Sequence, residues 1–219
     1  MSMFRVHTIP GSPFARAVLA TLEEKKTGYS LVPIAPNKLK VRPHIELHPF
    51  GRMPVLEQDS FVLYETQAIL RYLDRVLPTP RLTPPDARAA ARMDQIMNIS
   101  DWYLFQGVAN VIAFQRIVGP KVMGLTPDEQ IIAAAMPKAH IVVGELSRLL
   151  GEQGYFVGDS VSLADLHVAP QLDFLSMTPE WAALSAGRGN LDAWLSRMRA
   201  RESMQSTTWE RVARLAQVA

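Results

Sequence analysis

Ile9-Pro10-Gly11-Ser12-Pro13-Phe14-Ala15-Arg16-Ala17-Val18 decides how this chain is read. Met3 to Thr8, ahead of it, has the pattern of a short strand; Phe14 to Lys26, behind it, carries Ala15, Val18, Leu19 and Leu22 at helical spacing. Ser12 stands where an N-cap belongs, and Pro13 stands at the first helical position, where a missing N–H removes no helical bond. A strand that gives way to a helix at a hydroxyl residue aims that hydroxyl and the helix's free N–H groups at one place, which suits an anion. The stretch alone leaves two readings open for Ser12, a plain helix cap or a cap that also touches a ligand.

Outward from there, Tyr29 to Ile34 is a second strand, closed by Ala35-Pro36-Asn37, and Lys38 to Leu47 is irregular or a short helix bearing Lys38, Lys40 and Arg42. His48-Pro49-Phe50-Gly51-Arg52-Met53-Pro54 turns into the strand Val55-Leu56-Glu57, which a hairpin at Gln58-Asp59-Ser60 joins to Phe61-Val62-Leu63-Tyr64. A helix follows over 65–77, with Ala68, Ile69, Tyr72, Leu73, Val76 and Leu77 as its expected apolar face. The order β-α-β-α-β-β-α predicts a small mixed sheet with helices packed on it.

Leu77 to Asp86 holds four prolines in ten residues, the signature of a linker. The expected division is a sheet domain over 1–78, a proline-rich linker over 79–86 and an all-helical domain over 87–219. In the helical part, one long helix is expected from Asp86 to about Ile117, bent near Gly107. Thr126-Pro127-Asp128-Glu129 has the form of a capping box opening a helix to Leu150 with a kink at Pro137. Ser162-Leu163-Ala164-Asp165 is a second such cap, for a helix to about Leu175; two helices over 190–200 and 203–216 complete the chain, with Trp194 and Trp209 expected in the core.

Composition removes several function classes. The 219 residues are 48% hydrophobic and 20% charged, an ordinary globular balance. The net charge is +2 and no Lys/Arg run is interleaved with aromatics, so no nucleic-acid partner is expected. With zero cysteines there is no disulfide, no Cys-ligated zinc and no protein thiol nucleophile, and no metal is expected. The chain enters a strand directly, without a basic-then-apolar leader, and no apolar run is long enough to span a bilayer; the expectation is a cytoplasmic protein with no membrane partner.

A βαβαββα domain joined by a proline-rich linker to an all-α domain resembles the cytosolic glutathione transferases, and four motifs carry the resemblance. Phe50-Gly51-Arg52-Met53-Pro54-Val55-Leu56 is similar to the family's turn before its cis-proline, and Tyr64-Glu65-Thr66-Gln67-Ala68-Ile69-Leu70-Arg71-Tyr72 to its Glu-Ser/Thr-x-Ala-Ile-x-x-Tyr signature. Phe156-Val157-Gly158-Asp159 with Ser162-Leu163-Ala164-Asp165 resembles the capping motif of the helical domain, and Asn190 to Met198 its later Trp-containing helix. The fold implied is α/β plus all-α, with a thioredoxin-like N-terminal domain. Pro10-Gly11-Ser12, Arg16 and Val18-Leu19 are most similar to the phi-like serine branch, in which a serine at this position is the catalytic hydroxyl. The lack of cysteine argues against the branches that use one there.

The useful group of glutathione is its thiolate. A free thiol has a pKa near ~8.5, and lowering it by about two units takes roughly 2.7 kcal/mol of preferential thiolate stabilisation. A hydroxyl donor with helix-terminal N–H groups can supply that, and the Ser12 O–H can donate while its lone pairs accept a capping N–H. By resemblance, the start of the helix at Glu65 and Thr66 holds the γ-glutamyl end, with Thr66 at the carboxylate and Glu65 at the ammonium. Pro54 in cis leaves the backbone of Met53 for the cysteinyl moiety, while Lys40 and Arg52, with Arg42 as an alternative, serve the glycyl carboxylate. His48 stands where an asparagine is usual, and His7 on the first strand either faces the site or is structural. Phe14, Trp102, Tyr103, Gln106, Asn110 and Phe114 are the expected lining for the electrophile, unless these aromatics are core. Asp165 is expected to cap rather than catalyse, and Phe50 to touch a partner in a homodimer.

The resulting expectation is a glutathione transferase that activates the thiol through Ser12 and adds it to hydrophobic electrophiles, a detoxification chemistry. The alternatives are a glutathione-dependent isomerase or peroxidase on the same site, or a non-catalytic binding protein of the same fold.

Overall fold

The computed structural model describes residues 3–217. Its contacts divide the chain into two compact units, one of residues up to 82 together with those from 199 onward, the other of residues 83–198.

The first unit opens with β1 (Phe4–Thr8), α1 (Pro13–Glu24), β2 (Tyr29–Pro33), α2 (His44–Leu47), β3 (Val55–Gln58), β4 (Phe61–Tyr64) and α3 (Thr66–Val76). The four strands form one sheet in the order β2-β1-β3-β4, with β2 parallel to β1 and the other pairs antiparallel. Period-2 alternation buries Phe4, Val6 and Thr8 on one face of β1. Helix α1 buries Ala15, Val18, Leu19 and Leu22, as the spacing predicts, and packs on α3. The buried stripe of α3 is Thr66, Ile69, Leu70 and Leu73. Ala68 and Val76, expected on that stripe, are exposed, because the helix turns the larger Leu70 inward.

Lys25, just past α1, is 5% exposed and donates through Nζ to Asp74 Oδ1, Leu77 O and Pro80 O, each at 2.5 Å. The same Asp74 oxygen accepts the Leu82 N–H at 2.9 Å, so the proline-rich segment is tied to α1 and α3.

The second unit begins with α4 (Ala87–Ile99), capped by Asp86, whose Oδ2 accepts the Ala89 N–H at 2.8 Å. The single long helix expected to Ile117 is not found. The chain continues as wide π-type backbone over Ser100–Ala109, breaks at Gln106 (ψ 108°) and Gly107 (φ 81°), and resumes as α5 (Asn110–Ala113). A further π-type stretch, Phe114–Val118, leads to α6 (Gly119–Met123). The bend near Gly107 is thus a full interruption: Gly107 donates to Asn110 Oδ1 at 2.7 Å and Lys138 Nζ donates to Gln106 O, replacing the lost helical bonds.

Helix α7 (Glu129–Leu150) starts two residues later than a Thr126 cap would place it. Asp128 is the cap, accepting the Gln130 and Ile131 N–H groups at 2.9 and 3.1 Å, and the helix runs through Pro137 without interruption. The remainder is α8 (Leu163–Ser176), the short α9 (Trp181–Leu184) and α10 (Gly189–Arg199). Ser162 and Asp165 form the expected capping box of α8. Asp165 does more than cap: its two oxygens accept Ser162 N–H (2.9 Å), Ser162 Oγ–H (2.6 Å), Phe156 N–H (2.9 Å) and Trp194 Nε1–H (2.8 Å). Complete burial pushes this carboxyl's pKa up, against four donors that favour the carboxylate. Trp194 is fully buried, with Phe156 edge-on at 4.9 Å.

Where one helix is expected over 203–216 there are two, α11 (Glu202–Ser206) and α12 (Trp209–Ala216). Thr207 closes the first and Thr208 caps the second, its extended backbone at ψ 158° letting Oγ1 accept the Arg211 N–H at 3.3 Å. Trp209 is half-buried rather than core. Among the described residues no helix is long and apolar enough to cross a membrane.

Replacing Asp165 by Ala is expected to cost about 4 kcal/mol, since it strands buried N–H donors of Phe156 and Trp194 as well as removing the cap. Urea unfolding of the two proteins measures it.

Candidate functional site

The register of the sheet explains how distant segments of sequence meet. Thr8 at the end of β1 pairs with Pro33 at the end of parallel β2, while His7 faces Val55 at the start of antiparallel β3, and Val55 faces Tyr64 at the end of β4. The loops that leave or enter the strands at this end are therefore Ile9–Ser12, Ile34–Pro43, the one ending in Arg52-Met53-Pro54, and Glu65–Thr66. These are the four segments carrying the residues expected to bind glutathione.

Ser12 is the N-cap of α1, with Pro13 at the first helical position. Its Oγ accepts the Ala15 N–H at 3.2 Å, and its own N–H closes a turn to Ile9 O at 3.0 Å. Gly11 has φ +89°, in the range where glycine is at no disadvantage. Met53-Pro54 is cis. Glu65 links β4 to α3 at φ 68°, ψ 114°, an uncommon conformation for a residue with a β-carbon, and Thr66 is the first, buried residue of α3. Lys40 and Arg52 are exposed, and the Lys40 stem lies against Gly51: a β-carbon there would come within 2.8 Å of Lys40 Cγ. The Lys40 stem is thus placed against the residue that precedes Arg52.

Sequence reasoning missed what lies beneath this edge. His44 on α2 is 5% exposed and donates through Nε2 to the Arg52 carbonyl at 2.6 Å, fixing the chain just before Met53. The ring of His7 lies 6.1 Å from that of His44, and the ring of His48 lies 6.3 Å on its other side and 4.7 Å from Tyr64. His7 pairs with Glu57 on β3, so this strand histidine is structural. The pattern His44-x-x-x-His48, one helical turn apart, was the available signal. Burial holds the pKa of His7 and of His48 below the ordinary value, with Glu57 acting in the opposite direction on His7 and His44 and Arg52 adding to the lowering at His48.

The residues expected to meet an electrophile lie in both units. Phe14, in the first turn of α1, is half-buried. In the helical unit Trp102 is 64% and Tyr103 56% exposed, Gln106 and Asn110 are exposed, and Phe114 is half-buried, while the core of this stretch is Leu104, Val108, Ile112 and Ala113. Asn110 uses its side-chain oxygen to cap Gly107. No cluster of three or more His, Asp or Glu fit for a metal ion occurs among the described residues.

Residues 6–81 match the family model of the glutathione S-transferase N-terminal domain, and residues 109–202 that of the C-terminal domain. A glutathione S-transferase of Hyoscyamus muticus is 30% identical over 201 residues, covering 90% of this chain and 93% of its own. Glutathione transferase F7 of Populus trichocarpa aligns with a TM-score of 0.83 at 27% identity over 98% of this chain and 99% of its own. A structure of glutathione S-transferase I bound with lactoylglutathione aligns at 0.81 and 25% identity over the full length of both. The chain belongs to the glutathione S-transferases, a family of enzymes, and its similarity is to the F-type or phi branch.

Because His7 and His48 bind protons more weakly folded than unfolded, the unfolded chain takes up more protons as pH falls through the unfolded value of 6.5. Their contribution to stability is complete above that value and declines below it. Melting temperature is expected to fall between about pH 7.5 and about pH 5.5, and His48→Asn to flatten that fall without abolishing it, since His7 remains.

Proposed function

We propose that this glutathione transferase activates the thiol of glutathione through the Ser12 hydroxyl and delivers the thiolate to a hydrophobic electrophile. The observation that carries the proposal is the state of Ser12 Oγ: it accepts the Ala15 N–H at 3.2 Å and still owns a proton to donate. A thiolate beside it would also meet the positive end of α1. The N-terminus of α3 at Thr66, with Glu65, suits the γ-glutamyl end; the Met53 backbone suits the cysteinyl group; Lys40 and Arg52 supply the positive charge for the glycyl carboxylate. The lactoylglutathione-bound relative supports a glutathione-sized ligand on this fold.

The chemistry asked of the protein is small. The thiolate is generated and held, the electrophile is brought up to it, and sulfur forms the new bond with no covalent link to the enzyme. Phe14, half-buried in the first turn of α1 two residues after Ser12, supports an apolar co-substrate. Phe50, 67% exposed in the loop before Gly51, supports the homodimer reading.

The test is the thiolate absorbance of bound glutathione titrated against pH in the parent and in Ser12→Ala. A bound-thiol pKa below the free value of about 8.5 is expected in the parent, returning toward it in the variant, with kcat/KM below that pH falling about tenfold per pKa unit lost. A depressed pKa that survives the substitution moves the role to the helix N-terminus; an unshifted one in the parent removes thiol activation altogether.

A further inference from the structure

The face of the Ile9–Ser12 loop is closed by a residue 198 positions away from Gly11. A β-carbon built on Gly11 would lie 2.7 Å from Cδ2 of the Trp209 indole and 2.9 Å from both Cε2 and Cε3, so the ring fusion rests where only a hydrogen fits. Trp209 is the first residue of α12, and α12 packs against β2, whose neighbour β1 feeds the same loop. The indole therefore sits against the residue that immediately precedes Ser12.

Its placement is fixed from α1 itself. Arg201 Nε and Nη2 donate to the two oxygens of Glu24, each at 2.7 Å, and Ser203 Oγ donates to Glu24 Oε1 at 2.5 Å. Arg16, one turn into α1, donates through Nη2 to Met204 O at 3.0 Å. Thr207 Oγ1 donates to Ser203 O at 2.7 Å, and Thr208 then caps α12. The path from α1 through α11 to Trp209 consists of short bonds between well-packed elements, and it ends back on the loop that starts α1. Glycine at φ +89° has no side chain to define its backbone, so the pressed indole removes the freedom that Gly11 would otherwise give the loop.

We infer that Trp209 is a positioning residue for catalysis: by clamping Gly11 it fixes the direction of the Ser12 hydroxyl. The inference rests on the serine reading above. A hydroxyl that points at sulfur only part of the time stabilises the thiolate less, and displacement of a catalytic group by about 1 Å costs up to about 100-fold in rate.

Trp209→Leu removes the flat ring while keeping apolar bulk against β2. It is expected to raise the bound-thiol pKa by about one unit and to lower kcat about tenfold, while KM for glutathione changes by about twofold or less. Trp209→Phe, with an aromatic face still available to Gly11, is expected to recover most of both. In a Ser12→Ala background Trp209→Leu should change neither quantity further, since there is no hydroxyl left to aim. Parental pKa and kcat in Trp209→Leu, or an equal loss with and without Ser12, overturns the inference and leaves Trp209 a packing residue. If Ser12→Ala alone does not move the thiol pKa, the serine reading falls and the inference with it. A thiol that Ser12→Ala releases and Trp209→Leu does not overturns the inference alone.

Discussion

Helix α1 is held at its far end by buried charge, and what the first unit does at its near end depends on that anchor. Lys25 Nζ gives all three of its protons away, to one carboxylate oxygen and two carbonyls, and Asp74 answers with a second bond to the Leu82 N–H. A buried ammonium is tolerable only when its charge is paired and its donors are used. Both conditions are met, so removing either partner would leave an isolated charge in a dry place. One residue earlier, Glu24 receives Arg201 and Ser203. The last turn of α1 therefore fixes the helix against α3, the proline-rich segment and α11 at once. A 12-residue helix fixed so firmly at one end can present a cap residue at the other in one orientation.

The sheet edge adds a second constraint. Backbone irregularities gather at this end of the sheet, among them Gly11 at positive φ and Glu65 at φ 68°. Regular backbone would satisfy its own N–H and C=O groups and offer nothing to a ligand. Irregular backbone at the end of a rigid sheet keeps those groups available while the strands hold them in place. The histidine layer does for Arg52 what Trp209 does for Gly11. His44 holds the carbonyl of the residue before Met53, and His48 packs its ring on Tyr64, the last residue of β4.

Local signals made most of the first eighty residues legible. Strands and helices there are short, and Ser12 caps where sequence says it should, as Ser162 and Asp165 do farther along the chain. What was not legible depends on partners far along the chain. Arg201 and Glu24 are paired across 177 residues, and Trp209 meets Gly11 across a larger separation still; neither pairing leaves a local pattern. Trp209 has the composition of a core residue and is instead a half-buried clamp. The second kind of miss is a break inside an apolar run. Periodicity continues through Gln106 and Gly107, because the apolar positions Leu104, Val108 and Ile112 still reach one core, so the interruption shows only as the glycine itself. The third is competition between neighbouring caps: Thr126 and Asp128 both qualify, and the carboxylate wins by accepting two N–H groups where a hydroxyl would take one.

The absence of cysteine gives the candidate site its chemical logic. With no thiol in its 219 residues, the chain owns no sulfur nucleophile, and every step at sulfur belongs to the co-substrate. The proposed reaction needs a donor for a thiolate, and a neutral hydroxyl is a weak one unless it is held still in a favourable field. Ser12 has the field from the first turn of α1 and the stillness from its bond to Ala15 N–H. A stabilisation of roughly 2.7 kcal/mol is within the reach of one charge-assisted hydrogen bond and a helix terminus acting together, and beyond either when it is loose. The demand on the fold is therefore geometric. On the proposed serine reading, the contacts from Lys25 through Glu24 and Arg16 to Trp209 all bear on the direction of one short side chain.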